Sequence, residues 1–215
     1  ITIDCNDFKI GGLAAGDNSK AIGIYGKNRH NATVRHCNVR GFRHGIYLHG
    51  VGHLVEDNRF DNNLAEGIHV FGDTTQVLRN AVYDTGGLTG GRTAIGIMAS
   101  GSIVGNTVSG LLADEPGRLV GIEVHGTGTQ VHRNRIANIS STATQGGSAN
   151  AIIGIDLLDL AQRASGNQVV AGSAGAGSSE GIAAHDPSFC LDNTVGGFAT
   201  DIDSTCTGSG NETLP

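Results

Sequence analysis

The most regular feature of the chain is a short stretch in which apolar residues alternate with variable residues after a Gly-Ile pair. The sequence reads HGIYLHG over residues 44–50 and GIHVFG over residues 67–72. Alternation with a period of two indicates a strand with one buried face. The pair recurs along the whole chain, and its glycines are Gly23, Gly45, Gly67, Gly96, Gly121, Gly154 and Gly181.

A second motif places an asparagine three residues after an aliphatic residue and two before an apolar one, as in VEDNRF (55–60) and VLRNAV (77–82). Asparagine tolerates the left-handed backbone of a sharp turn between short strands. We therefore predict a coil whose successive turns pair in parallel about 4.8 Å apart, with stacked asparagine amides. The recurring residues are Asn6, Asn58, Asn80, Asn106, Asn134, Asn167 and Asn193, with Cys37 replacing one of them.

The spacing between the two motifs differs on the two sides of each repeat. From the repeat glycine to the asparagine position the separation is 10 to 14 residues, whereas from there to the next glycine it is 8 to 20. Insertions in a solenoid map to one face, which is often the binding face. We therefore expect the loops at 83–93, 109–119 and 139–150 to flank the Gly-Ile strands as walls.

Composition and charge narrow the function classes. The 35 glycines are spread along all 215 residues, so a flexible linker does not explain them. The formal charge of −6 argues against a dedicated nucleic-acid-binding protein. No apolar run approaches the ~20 residues that a membrane-spanning helix needs. The chain opens on a strand-like stretch without a visible signal peptide, so we expect a fragment whose first coil is capped by a missing N-terminal region or, in a homo-oligomer, by another chain.

Four cysteines lie two near each end of the chain, without the spacing of a metal site. We expect Cys5 to pair with Cys37 and Cys190 with Cys206, which would indicate an oxidising compartment. The alternative is four free, buried thiols.

These motifs, together with the opening ITIDCNDFKIGG, resemble the right-handed parallel β-helix repeat family, the pectate-lyase-like superfold. The resemblance covers residues 1–198 and implies an all-β solenoid of about eight coils with an asparagine ladder. Residues 199–215 would form a C-terminal tail that could cap the last coil. Lyases, hydrolases, epimerases and phage tailspikes share this fold, so the resemblance does not specify an activity. It does imply that the Gly-Ile strands line a saccharide groove.

Residues two and four places after each repeat glycine should point outward into this groove. Glu123 and Asp156 occupy equivalent positions in neighbouring coils, so their Cα atoms should lie about 5 Å apart. One carboxyl of so close a pair tends to have a raised pKa, and retaining glycosidases hold their carboxyls about 5–5.5 Å apart. With His125 on the same strand, these are the candidate catalytic residues. The loop residues that lead into them are Asp114, Glu115 and Arg118.

The alternative for this acidic pair is a solvated face or a calcium-binding patch of oxygen ligands. No specific metal motif supports the patch, so no metal or other cofactor is predicted.

A rival group contains Tyr47, His49 and His69, with Phe71 as a platform on which a sugar could stack. Elimination or epimerisation of a uronic acid needs a base for the C5 proton, often His or Tyr. It also needs a cation that neutralises the carboxylate. The alternative is a ladder of rings that stabilises the outside of the sheet. The candidate cations are Lys27, Arg43 and Arg92.

Two function hypotheses follow. The first is an extracellular, cell-surface or periplasmic protein that binds a polysaccharide and, if it is an enzyme, cleaves or epimerises it. The second is a non-catalytic structural solenoid such as an adhesin or spike segment. Motifs typical of polygalacturonases and alginate epimerases are missing, so the choice stays open. The predicted substrate-binding residues are Tyr47, His49, His69, Phe71, Arg92 and Arg118.

Overall fold

The computed structural model describes residues 1–12, 16, 18–87, 93–113, 117–141, 151–172 and 178–214. Within these residues the secondary structure consists of β-strands, numbered β1 to β24 along the chain, that pair in parallel with their equivalents in neighbouring coils. Each coil contributes strands to three columns, which we name from the motifs. The prediction of an all-β parallel solenoid is confirmed.

The pre-Asn column contains β1 (Thr2–Asp4), β4 (Thr33–Arg35), β7 (Leu54–Glu56), β10 (Gln76–Leu78), the ends of β12 (Ala94–Val104) and β14 (Arg118–His132), then β17 (Arg163–Ser165), β20 (Ser188–Leu191) and β23 (Cys206–Thr207). The post-Asn column contains β2 (Lys9–Gly11), β5 (Asn38–Arg40), β8 (Arg59–Asp61), β11 (Ala81–Tyr83), β13 (Thr107–Ala113), β15 (Arg135–Ser141), β18 (Gln168–Val170), β21 (Thr194–Gly196) and β24 (Glu212–Leu214). The Gly-Ile column contains β3 (Ile22–Lys27), β6 (His44–His49), β9 (Glu66–Phe71), the beginnings of β12 and β14, then β16 (Ala151–Leu157), β19 (Ser179–Ala184) and β22 (Thr200–Ile202).

The interior of the solenoid is filled by stacked aliphatic residues, one or two from each strand. Isoleucines of the Gly-Ile pairs, such as Ile46, Ile68 and Ile97, are fully buried and pair in register from coil to coil. Valines at the centres of the other columns complete the core. Because the inward side chains form a closely packed apolar core, function must lie on outward positions.

The repeat glycines are needed for close packing between columns. A Cβ atom on Gly67 would lie 2.5 Å from Val82 Cγ1 of the same coil and 2.8 Å from the carbonyl oxygen of Gly96 in the next. At all seven repeat glycines the nearest such contact would be 2.1–2.5 Å, closer than real Cβ atoms approach. Any larger residue would push the Gly-Ile column away from the post-Asn column. This contact explains why the glycine recurs.

The asparagine ladder is confirmed, with a correction to its turn geometry. Asn58 Nδ2 donates to Asn80 Oδ1 at 3.0 Å, and Asn58 N donates to the same oxygen at 3.0 Å. The left-handed conformation, however, belongs to the residue before the asparagine, such as Asp57 (φ 53°) or Arg79 (φ 53°). The asparagine itself turns inward and its amide replaces strand hydrogen bonds at the corner. The same bonds link Asn80, Asn106, Asn134, Asn167, Asn193 and Asn211.

Asn6 does not belong to the ladder. Four residues separate β1 from β2, whereas two separate β4 from β5, so the first turn is wider and Asn6 is exposed. Cys37 does occupy a ladder position, because its backbone N–H donates to Asn58 Oδ1 at 3.0 Å. Its sulfur is bonded to Cys5.

The two ends of the chain are joined to the stack by disulfides. Cys5–Cys37 links the first strands to the next coil, and Cys190–Cys206 links β20 to β23. Both expected pairings are confirmed. Residues 200–214 add three strands that pair in parallel with the preceding coil, and Asn211 extends the ladder to them.

Candidate functional site

The outward face of the Gly-Ile column carries more polar side chains than simple alternation provides. Glu66 Oε2 lies 2.7 Å from His69 Nδ1, although residues three apart in a regular strand point to opposite faces. The alternation is therefore broken at the Gly67–Ile68 step, where the glycine packs against the post-Asn column. As a result, the residue before each repeat glycine joins the two outward positions that follow it.

In the N-terminal half this face carries a hydrogen-bonded group that we call the imidazole cluster: His44, His49, Glu66 and His69. Glu66 Oε2 accepts from His44 Nδ1 at 2.8 Å and from His69 Nδ1 at 2.7 Å. On its other side His69 Nε2 lies 2.9 Å from His49 Nε2. The hydrogen bonds thus run without a break from His44 through Glu66 and His69 to His49.

The protonation of this cluster follows from its contacts. Burial raises the pKa of Glu66, but the hydrogen bonds from His44 and His69 outweigh it and lower that pKa to about 2. Burial also lowers the pKa of His49 from its usual 6.5, and the nearby His69, Lys27 and His53 lower it further. The imidazole of His49 is therefore uncharged at neutral pH. In the tautomer in which His69 donates through Nδ1 to Glu66 and accepts through Nε2 from His49 Nε2, a lone pair remains on His49 Nδ1.

Aromatic and imidazole rings extend this cluster in both directions along the face. Tyr25 stacks on Tyr47 with ring centroids 5.7 Å apart, and Tyr47 stacks on His69 at 4.2 Å. Further along, the rings of Phe71 and His125 meet edge to face with centroids 4.8 Å apart. They can meet because the equivalent residue on the strand between them is the small Ser100. Rings of this kind present flat apolar surfaces to a ligand.

In the C-terminal half the same face carries a second group, which we call the arginine cluster: Arg118, Glu123, His125, Asp156 and His185. Glu123 and Asp156 are direct partners in the register of β14 and β16, as the spacing predicts. The guanidinium of Arg118 makes ion pairs with both carboxylates. His125 Nε2 lies 2.9 Å from Glu123 Oε1, and His185 Nε2 lies 3.0 Å from Asp156 Oδ1.

Both carboxylates of the arginine cluster are buried, with Glu123 5% and Asp156 0% exposed. Burial raises the pKa of Glu123, but hydrogen bonds from His125 and Arg118 reverse this effect and the net shift is downward. The spacing of the pair predicts a raised pKa for one carboxyl, and for Glu123 the shift has the opposite sign. The contributions that the spacing does not include are the hydrogen bonds from His125 and Arg118, which stabilise the ionised form of Glu123.

The other predicted residues divide between the face and its surroundings. Lys27 pairs with His49 in the strand register. Arg43 lies two places before its repeat glycine, a position that small or apolar residues occupy in later coils. Its Nε is buried without a hydrogen-bond partner in the described structure. Arg92, Asp114 and Glu115 lie outside the described residues.

A shallow groove of about 420 Å³ adjoins the ring-bearing face at the turns that lead into the pre-Asn column. It is lined by backbone and small polar residues, including Thr74, Ser100 and Thr129. Among the described residues no three His, Cys, Asp or Glu side chains are arranged to hold a metal ion.

Two members of the imidazole cluster were not predicted from the sequence. Strict alternation counted back from Ile46 and Ile68 places both His44 and Glu66 inside the solenoid. The signal that could have found them is their position directly before a repeat glycine in two successive coils, one basic and one acidic.

A model of the right-handed β-helix region matches residues 22–198, most of the chain. The protein belongs to the right-handed β-helix family. Members of this family are often carbohydrate-active or structural proteins. No curated protein sequence and no solved structure gives a significant match to the chain. The match confirms the predicted family.

The two disulfides fit a secreted or extracellular protein, in which thiols are oxidised. In the described residues there is no helix of the length and apolar character that crossing a membrane requires.

Proposed function

We propose that the protein is an extracellular, cell-surface or periplasmic enzyme that binds an acidic polysaccharide along the Gly-Ile face. Its base, His49, removes the C5 proton of a uronic acid unit. The observation that carries this proposal is the hydrogen-bonded chain from Glu66 through His69 to His49. A general base must have a free lone pair at the operating pH and must be held in place by its neighbours. His49 satisfies both conditions.

The C5 proton of a uronate is adjacent to the carboxylate, so its removal places negative charge on the carboxyl group. A cation close to the base stabilises that charge. Lys27 is such a cation, since it pairs with His49 in the register and its charge already acts on that imidazole. The stacked rings of Tyr25 and Tyr47 supply the flat surface beside it.

The geometry favours proton abstraction over glycoside hydrolysis. A hydrolase of the retaining type needs one carboxyl that stays protonated near neutral pH. In the arginine cluster, Arg118 contacts both carboxylates and the pKa of Glu123 is lowered. These contacts support a structural and ligand-binding role for Glu123, Asp156 and His125 on the Gly-Ile face. Arg118 links the two neighbouring coils.

The test offers the purified protein polyuronates and neutral polysaccharides. It records ultraviolet-absorbing unsaturated product, exchange of C5 hydrogen with deuterated water, new reducing ends, and binding. We expect exchange or unsaturated product from polyuronates alone. His49→Gln should lower that rate about 10²–10⁴-fold, the range for loss of a general base, while binding persists.

The matched control is His132→Gln, because His132 lies on the pre-Asn column and bonds to Ser165, away from the Gly-Ile face. It should leave the rate unchanged. Reducing ends without unsaturation, retained by His49→Gln and lost in Glu123→Gln, would instead establish hydrolysis at the arginine cluster. If no polysaccharide is bound or altered, the enzyme proposal fails and a structural solenoid remains.

A further inference from the structure

Tyr47 lies beside His49 on β6, and the two rings are parallel. Their centroids are 4.6 Å apart and their planes differ by 7°. The Tyr47 ring is held on a second side by His69, 4.2 Å away, and on a third by Tyr25. Its phenol oxygen makes no hydrogen bond to any described residue, although every imidazole around it is bonded. An ordered phenol with a free hydroxyl next to a general base is suited to donate a proton.

Both side chains project from the same face of one strand, so a ligand on that face meets them from one side only. Positions 47 and 49 are two apart, and the Cα atoms of such positions lie about 6.5 Å from each other along a strand. A base and an acid at this spacing can reach neighbouring atoms of one sugar ring. They can do so only on the same side of that ring.

We propose that Tyr47 is the acid partner of His49 in a syn β-elimination. The inferred substrate is a 1,4-linked polyuronate whose C5–H and C4–O bonds lie on the same side of the ring. Uronates of the manno and gluco configurations meet this condition, whereas those of the galacto and gulo configurations place the two bonds on opposite sides. The inference rests on the proposed function of His49 and adds to it the reaction, its stereochemistry and the substrate class.

The step balances without a co-reactant. His49 takes the C5 proton, the electrons of the C5–H bond form the C4=C5 double bond, and the C4–O bond breaks. The departing glycosidic oxygen takes the proton of the Tyr47 hydroxyl and becomes the hydroxyl of a new reducing end. The protonated His49 then returns a proton to the Tyr47 phenolate through solvent, and both groups are restored.

The experiment compares the four configurations of polyuronate with wild type, Tyr47→Phe and the control Tyr83→Phe. Phenylalanine keeps the ring stack and removes only the hydroxyl, so the fold should survive. We expect wild type to release unsaturated product from manno- or glucuronate polymers only. Tyr47→Phe should lose elimination about 10²–10⁴-fold, as expected for a missing general acid, but still exchange the C5 hydrogen with deuterated water. Tyr83→Phe removes the hydroxyl of a tyrosine on the post-Asn column that packs against Arg59, away from the Gly-Ile face, and should retain both reactions.

Failure of this inference can be told apart from failure of the proposed function. Elimination from galacto- or guluronate polymers, or full elimination by Tyr47→Phe, would overturn the role of Tyr47 while His49 remains the base. Exchange in wild type without any elimination would do the same. If wild type neither exchanges nor eliminates on any polyuronate, the proposed function itself is wrong.

Discussion

The imidazole cluster and the arginine cluster lie on the same face of one solenoid, yet their carboxylates have different partners. Glu66 accepts hydrogen bonds from two imidazoles, and the chain continues to a third. Glu123 and Asp156 share a guanidinium, and each also contacts one imidazole. Guanidinium stays protonated at any physiological pH, whereas imidazole gains and loses a proton near neutrality.

Because their partners differ, the carboxylates of the two clusters have different roles. A carboxylate bonded only to imidazoles orients them and can pass a change of protonation along the chain. In the arginine cluster the guanidinium of Arg118 joins β14 to β16 by contacting both carboxylates, and the pKa of Glu123 is lowered. Two neighbouring carboxylates in a strand column are therefore not sufficient evidence for acid–base catalysis, because the cation that reaches them decides their protonation.

The largest expected effect is on stability, in the arginine cluster. Arg118→Met removes the guanidinium and leaves the buried carboxylates of Glu123 and Asp156 without their cation. Loss of one partner of a buried ion pair typically costs about 3–5 kcal/mol. We expect a decrease of that order in the free energy of unfolding, measured by denaturant titration at neutral pH. Adding Asp156→Asn to Arg118→Met should restore part of it.

Arg79→Met is the matched control for this prediction. Arg79 also bridges two carboxylates, those of Glu56 and Asp57, but its side chain is 54% exposed. Solvent screens such a pair, so its loss should change stability far less. Equal losses from Arg118→Met and Arg79→Met would show that burial of the arginine cluster contributes nothing.

The fold was predictable from the sequence because its two motifs report the coil directly. Alternation around Ile46 and Ile68 identified the buried face, and the register of Asn58 and Asn80 identified the stacked corner. Two details could not be predicted. The left-handed residue precedes the asparagine, because the amide is needed inside the ladder. Asn211 extends that ladder although no Gly-Ile pair separates it from Asn193 and no aliphatic residue stands three places before it.

The candidate site was predictable only where strands are regular. The pairing of Glu123 with Asp156 follows from the spacing of the repeats alone. The contact of Arg118 with both carboxylates depends on the conformation of its long side chain, which the spacing of the repeats does not determine. Glu66 was missed because the strand breaks its alternation at Gly67. That break depends on contact with Val82, a residue of another column.

A smaller effect is the pH dependence of stability that Glu66 gives to the imidazole cluster. The pKa of Glu66 falls from 4.5 to about 2 on folding, so this carboxylate stabilises the fold above pH 4.5. That contribution is lost as the pH falls through the folded pKa, and the shift corresponds to about 3 kcal/mol at most. Glu66→Gln should thus be less stable than wild type at neutral pH, and equally stable near pH 2. Urea titrations at both pH values measure the difference in free energy of unfolding between wild type and Glu66→Gln. A difference that is the same at both pH values would mean that the variant lost only packing.

The smallest expected effect concerns the cation beside the base. Lys27 is one of the charges that lower the pKa of His49, after burial and His69. His49 must be uncharged to take a proton, so the rate should fall as the pH drops through its pKa, which lies below 6.5. Lys27→Gln removes one opposing charge, and the acid limb of the kcat/KM profile on a polyuronate should shift upward. The shift should shrink at high ionic strength, which screens the charge of Lys27. Lys20→Gln, an exposed lysine outside that group of charges, should leave the limb in place. An unchanged or downward shift in Lys27→Gln would show that the limb reports a group other than His49.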